Sequence, residues 1–383
     1  MMQHIFLGTS VLYPLIISEL KLNLTEFGVV VALSTLVGGL FQLIPSIISR
    51  RVARHVILGV GNALLSIGTF FTGISHGILD FLGARIVSNI GTAPTHPMGT
   101  AIISNKFEDE KIGWAIGIHY GLAYIGNIVG PIFMTFLAVA FSWRISLFVF
   151  AVPSLVVGII MIWYLGEGKK ITYNRGSNAT SLKSDVISVL RTKGVLSILI
   201  GQAFVAGAID ITMITTYTPI FLTNALKLDT VGRGVFYTIE LVGGILGPLV
   251  LGRIGSKHGY IRTGIMSTIA AVTCVVLLSF YSSANFLLGV HLFFVGFFCF
   301  SFTTLVQSHL VQITSKSSRD LAVGIYFTIL FSVVSFWTAI IGYIIDIFSS
   351  FLPAFAFMGA VGTIGIIFLV TQIKSLNPTS TAK

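Results

Sequence analysis

The sequence predicts an all-α integral membrane protein with twelve transmembrane helices in two six-helix bundles. Three observations predict it. Only 9% of the 383 residues are charged while 55% are apolar, and the mean hydropathy is +0.96; a soluble chain would carry about 25% charged residues to wet its surface. Apolar stretches of about 20 residues, the length of a helix that crosses hydrocarbon, recur twelve times. The polar gaps between them alternate in charge.

Six such stretches, near 2–19, 28–48, 56–75, 79–103, 112–140 and 145–165, form the expected N-terminal bundle over 1–165. Six more, near 195–222, 231–251, 262–282, 286–311, 321–345 and 352–373, form the expected C-terminal bundle over 195–373. Residues 166–194 are expected to be a cytoplasmic linker, rich in Gly, Ser, Asn and Thr up to Ser181. Apolar residues at Leu182, Val186, Ile187, Val189 and Leu190 then suit a short helix on the membrane surface. Residues 374–383 form a tail.

Eighteen of the 23 Lys and Arg fall on one side of these spans, among them Arg50, Arg51, Arg54, Lys106, Lys111, Arg253, Lys257, Arg262 and six in the linker. Only Lys21, Arg144, Lys227 and Arg233 fall on the other, and Arg85 lies within a span. The positive-inside rule then puts both termini in the cytoplasm of a cell-membrane protein. It also directs the net charge of +10 toward anionic lipid rather than nucleic acid. The two cysteines, Cys274 and Cys299, sit in apolar runs and are too few for a disulfide framework or a zinc site. Gly166-Glu167-Gly168-Lys169 lacks the spacing of a phosphate-binding loop. No cofactor or metal is expected, and no enzymatic arrangement.

The halves look alike. Ser46 to His55, after the second span, and Gly252 to Ile261, after the eighth, are both short, basic and turn-like. Ala115-Ile116-Gly117-Ile118-His119-Tyr120 opens the fifth span as Ala322-Val323-Gly324-Ile325-Tyr326-Phe327 opens the eleventh, at nearly the same offset. Duplication of a six-span unit is the simplest account.

With those residues in view, the whole chain resembles the major facilitator superfamily of secondary transporters. That family's loop between spans two and three typically reads G-x-L-x-D-R-x-G-R-R. Arg51, Ala53 and Arg54 follow it in the first half, and Gly252, Ile254, Lys257 and Gly259 in the second; Arg50 and Ser256 replace the acidic residue. Arg85 in span four, the pair Gly130-Pro131 in span five and Trp143-Arg144 before span six extend the resemblance. The resemblance implies a monomer of two bundles related by an axis along the membrane normal. It also implies a midplane substrate site and alternating access.

An ionisable side chain at the bilayer centre costs at least about 2.5–3.5 kcal/mol, so it has a partner or a task. Arg85, Ser88 or Asn89, Thr92 and His96 recur at helical spacing and form one polar stripe. Its functional reading is a cationic element of the translocation path; its structural reading is an arginine satisfied by carbonyls. Similar transporters carry a functional arginine at this place. Asn89, Thr92, Tyr120, Asn127 and Gln202 complete the candidate substrate-binding set. Asp210 in span seven and Glu240 in span eight are the candidate proton carriers, Asp210 slightly favoured by its mid-span position. A carboxyl in low dielectric prefers its neutral form, and a rearrangement that wets it releases the proton. His119 reads as a helix-end histidine. Arg51, Arg54, Gly252, Lys257, Gly259, Gly130 and Pro131 are the candidate conformational residues. Glu19, Asp80 and Asp346, near span ends, are expected to be solvated.

The expected function is secondary transport of a small organic solute, coupled to protons. Arg85 suggests uptake of an organic anion. Half of an exporter motif, Gly121 to Gly130-Pro131, suggests export of amphipathic compounds instead. The alternatives are a transport-dead sensor, or a lipid-acting membrane enzyme, for which no catalytic spacing is visible.

Overall fold

A chain this apolar has little water at hand for its peptide groups, so each segment bonds within itself as helix. The computed structural model describes residues 8–49, 52–95, 98, 126–164, 182–314 and 319–376, and no strand occurs among them. A 3-10 turn, Gly8–Leu12, runs into α1 (Tyr13–Glu19), followed by α2 (Leu24–Phe41), α3 (Leu43–Ile48), α4 (Arg54–Ile74) and α5 (Ile78–Thr92). Next come α6 (Gly126–Ala140) and α7 (Trp143–Tyr164). Beyond the central linker lie α8 (Leu182–Arg191), α9 (Val195–Ile209), α10 (Ile211–Asn224) and α11 (Thr230–His258). The chain ends with α12 (Tyr260–Leu277), α13 (Phe286–Ile313), α14 (Arg319–Phe348) and α15 (Phe351–Leu376). Each of the twelve predicted segments overlaps at least one of these helices, and α8 forms where the linker pattern predicts a short helix. Among the described residues, nine helices are long and apolar enough to cross a membrane, with α9 and α10 counted as one.

Polar residues set the helix ends. Asn23 and Glu26 form a capping box on α2: the Asn23 side chain accepts from the Glu26 N–H at 2.7 Å, and the Glu26 carboxylate accepts from the Asn23 N–H at 2.9 Å. Asn285 caps α13 by accepting from the Leu288 N–H at 2.9 Å. Between α11 and α12 the chain turns on Gly259, whose φ of +97° and ψ of 126° lie where side chains with a Cβ are strained.

The chain forms two compact units, Met1–Arg175 with Asp229–Thr238, and Gly176–Leu228 with Ile239–Lys383. In the first, α4 packs on α7 and α5, and α5 on α2. In the second, α12 packs on α15 and α13, and α9 on α15. The pairs α4–α7 and α4–α5 are spans three–six and three–four; α12–α15 and α12–α13 are the same pairs six spans on. The duplication read from one loop match and one span match therefore recurs as a packing pattern within each unit. Small residues bring the helices close: a Cβ on Gly59 would lie 2.7 Å from the Gly158 carbonyl oxygen, and one on Gly362 would lie 2.8 Å from the Ala208 Cβ.

One end of the first unit is clamped by groups that the sequence suggests are merely wet. The Trp143 indole donates to Glu19 Oε2 at 2.6 Å, and Arg144 Nε and Nη2 donate to Glu19 Oε1 at 3.1 and 2.9 Å. Arg144 Nη1 donates to the Gly73 and Ser75 carbonyls at 2.7 and 2.8 Å, closing the C-terminal end of α4. The guanidinium also lies 4.3 Å from the Trp143 ring centroid. Glu19 thus ties α1 to α7 rather than standing solvated. Arg144 engages two carbonyls as well as the carboxylate, and the Glu19 side chain is half exposed, so the arginine matters more. Arg144→Ala should lower the thermal unfolding midpoint in detergent, at a cost of about 1–3 kcal/mol. Glu19→Gln, which keeps an acceptor, should cost less than half of that.

Candidate functional site

In the first unit the polar stripe of α5 forms as the spacing predicts. Arg85 is buried, 7% exposed, and Ser88 is fully buried. The Arg85 Nη2 donates to the Tyr13 hydroxyl at 3.3 Å, and the guanidinium carbon lies 5.9 Å from the Tyr13 ring centroid. Tyr13 is in turn held edge-on against Phe27 at 4.9 Å, and Phe27 stacks on Phe81 at 6.0 Å. A guanidinium in this position meets a phenol backed by two aromatic rings. The rest of the stripe bonds along its own helix. Asn89 Nδ2 donates to the Arg85 carbonyl at 3.1 Å, Thr92 Oγ1 to the Asn89 carbonyl at 2.9 Å, and Ser88 Oγ to the Ala84 carbonyl at 3.1 Å. These hydroxyls and the amide oxygen keep acceptor capacity for a ligand. Asn127, on α6, is buried in the same unit. Tyr120, His96, His119, Gly121 and Arg51 lie outside the described residues.

In the second unit the two carboxyl candidates differ. Asp210 is not inside a helix. It sits at the break between α9 and α10, with φ −61° and ψ 147°, and caps α10 by accepting from the Thr212 N–H at 2.8 Å. An aspartate at this position is already employed in satisfying an orphan helix donor. Glu240 is different. It lies inside α11, is fully buried, and neither carboxyl oxygen has a hydrogen-bond partner of good geometry, although the Thr218 hydroxyl of α10 lies beside it. Its backbone faces Gly296 of α13, where any Cβ would collide with the Glu240 carbonyl. Cys299, one turn further along α13, is buried within electrostatic reach of both carboxyls. Gln202 is fully buried; its Nε2 donates to the Tyr326 carbonyl at 3.2 Å, and its Oε1 has no partner.

The motif residues frame the helix ends. Arg54 is the first residue of α4, Lys257 lies in the last turn of α11, where a cation complements the helix dipole, and Gly259 makes the turn that follows. Gly252 lies within α11 with open space where a Cβ would go. Gly130 and Pro131 lie against Gly8, a Cβ on which would come 2.6 Å from the Pro131 nitrogen. Tyr13, Thr218 and the Glu19–Trp143–Arg144 clamp are contributions that periodicity does not single out.

A sequence profile described as the Major Facilitator Superfamily matches residues 5–338. The chain belongs to that family. It is 26% identical over 384 residues to a probable L-galactonate transporter of Escherichia coli (strain K12), covering 92% of this chain and 83% of that one. It is 23% identical over 281 residues to a hexuronate transporter of Bacillus subtilis (strain 168), covering 72% and 66%. Its fold matches the crystal structure of a mutant of the nucleoside transporter NupG with a TM-score of 0.79 and 12% identity, over 97% of this chain and 96% of that one. The fold is therefore the twelve-helix, two-bundle architecture of this superfamily, and the chain is a membrane transporter of small solutes.

The backbone at Gly259 gives a direct test of the motif's second copy. Gly259→Val should cost on the order of 1–3 kcal/mol because only glycine adopts this φ and ψ without strain. Gly252→Ala, with open space around it, should unfold in detergent at the wild-type temperature.

Proposed function

We propose that the chain imports a small organic anion of the sugar-acid class together with protons, in the cell membrane, as a monomer with both termini cytoplasmic. The observation that carries the reading is the buried Arg85 guanidinium set against Tyr13 on the polar stripe of α5. A buried cation in a membrane bundle is retained only for a partner or a task, and a carboxylate is the planar anion that its fork fits. The likeness to a probable L-galactonate transporter over nearly the whole chain points the same way, and the concentration of Lys and Arg in alternate loops supports the orientation.

In this reading the anion binds Arg85, with Asn89, Thr92, Tyr120 and Asn127 of the same unit available to its hydroxyls. Glu240 carries the proton. A carboxyl that no neighbour bonds well is free to exchange its proton when the site is wetted, whereas a capping carboxylate gives up a helix cap when it is protonated. This reassigns the coupling from Asp210, which mid-span position favours, to Glu240. The bundles are expected over 1–165 and 195–373, with 166–194 and 374–383 on the cytoplasmic side. The cytoplasmic-loop residues Arg51, Arg54, Gly252, Lys257 and Gly259, with Gly130 and Pro131 in span five, serve the conformational change.

Proteoliposomes holding a trapped pH dye test the reading with L-galactonate, D-glucuronate and a panel of amphipathic cations. Interior acidification on adding a sugar acid is the expected result; alkalinisation by an amphipathic cation would instead establish export. Arg85→Lys keeps the charge but loses the fork, and should raise the KM for the sugar acid by about ten-fold or more. Glu240→Gln should abolish uphill accumulation while leaving exchange of labelled for unlabelled substrate intact. Asp210→Asn retains a capping oxygen and should still accumulate. Accumulation by Glu240→Gln would return the coupling to Asp210.

A further inference from the structure

Two buried arginines bracket one short stretch of backbone in the first unit. The 3-10 turn Gly8–Leu12 runs directly into α1, and the Val11 carbonyl accepts from Arg233 Nε at 2.8 Å. Two residues on, the Tyr13 hydroxyl accepts from Arg85 Nη2 at 3.3 Å. Arg233 comes from the first turn of α11 and is 1% exposed, the largest of the fully buried side chains among the described residues. Its Nη2 donates to Thr230 Oγ1 at 3.3 Å, and the Asp229 carboxylate lies within electrostatic reach. Asp229 is itself fixed by accepting from the Gly232 N–H at 2.8 Å. By charge bookkeeping alone Arg233 is one of four basic residues on the sparsely basic side of the membrane. Its burial makes it something else.

The surroundings leave the turn little freedom. Gly8 lies against the Gly130–Pro131 backbone with no room for a Cβ, and Gly234, next to Arg233, lies equally close to Thr135 of α6. Steric contact thus holds the start of the turn, and a charge-assisted hydrogen bond holds its end. Burying a guanidinium is costly unless its donors are met, so the bond to Val11 is strongly favoured over any arrangement that strands Arg233. What that bond fixes is the point from which Tyr13 reaches Arg85.

We propose that Arg233 is a positioning residue for the anion site: by holding the Val11 carbonyl it sets the turn that presents Tyr13 to Arg85. The inference rests on the reading of Arg85 as the anion's partner. Arg233 and Glu240 lie on one unbroken helix, about two turns apart.

The test uses the full chain in lipid and reads two quantities. Hydrogen exchange followed by mass spectrometry reports whether the segment Val11–Glu19 is held. Arg233→Gln should speed exchange there by about ten-fold or more, while α15 stays as in the wild type. Uptake of labelled L-galactonate reports the site. Arg233→Gln and Tyr13→Phe should each raise KM by about ten-fold with a smaller change in kcat, and the double variant should be no worse than the poorer single, as coupled residues require. Arg233→Lys, which keeps one charged donor, should be intermediate in both readouts and serves if the glutamine variant does not fold. Wild-type exchange together with wild-type KM in either variant would overturn the proposal. So would independent, multiplying effects of the Arg233 and Tyr13 variants. If the wild-type protein carries no sugar acid, the proposed substrate class fails and the exchange measurement alone decides whether Arg233 holds the turn.

Discussion

Hydrocarbon offers a polar group no solvent, and the rest of this structure depends on that constraint. Hydroxyl side chains meet it by turning back on their own helix. Thr69 donates to the Leu65 carbonyl, Thr72 to Gly68, Thr268 to Gly264, Ser301 to Phe297 and Thr338 to Val334, each from one turn along. Charged groups cannot do this and must find partners elsewhere. Three arginines of the first unit show how. Arg144 takes a carboxylate and two carbonyls at a helix end, Arg233 takes a carbonyl deep in the unit, and the Arg85 guanidinium meets a phenol. Of the three, Arg85 is the one that sits on the polar stripe of α5, and the site reading rests on that placement.

The architecture was almost fully legible in the sequence because the signals that define it are long. Twelve apolar stretches and an alternation of loop charge survive errors of several residues at each end. The loop match and the span match anticipate a duplication that the helix pairings repeat, α4 with α7 and α12 with α15. The polar stripe of α5 was equally legible, since three- and four-residue spacing specifies a helix face without knowledge of tertiary contacts.

The partners of those polar residues were not legible. Glu19 and Arg144 lie far apart in the sequence and share no periodic signal, so their ion pair emerges only when the fold brings the last residue of α1 to the first turn of α7. Tyr13 is one of 11 tyrosines, and nothing local distinguishes it from those that face lipid. Loop charge puts Arg233 among the basic residues of the sparsely charged side, but that count measures orientation and contains no information about burial. Charge statistics describe where a side chain starts; packing decides where it ends.

Asp210 and Glu240 show the same limit within a single residue class. Both are acids in apolar spans of the same half, and sequence position alone favoured the more central one. What separates them is the backbone. Asp210 has a short side chain that reaches the second amide of the helix beginning at Ile211, so it ends one helix and starts another. A cap signal of that kind is easily read in a polar loop, where hydrophobic periodicity stops on either side of it. Inside a continuous apolar stretch the periodicity does not stop, and the break stays hidden. Glu240 has a longer side chain within an unbroken helix and no backbone donor to reach for, because the amides around it are already bonded in α11. Its carboxyl lies beside the Thr218 hydroxyl of α10 instead. The carboxyl at the cap is held by the amide it accepts from, whereas no backbone donor holds the one in α11. That asymmetry is the physical ground for the proposal that α11 carries the coupling.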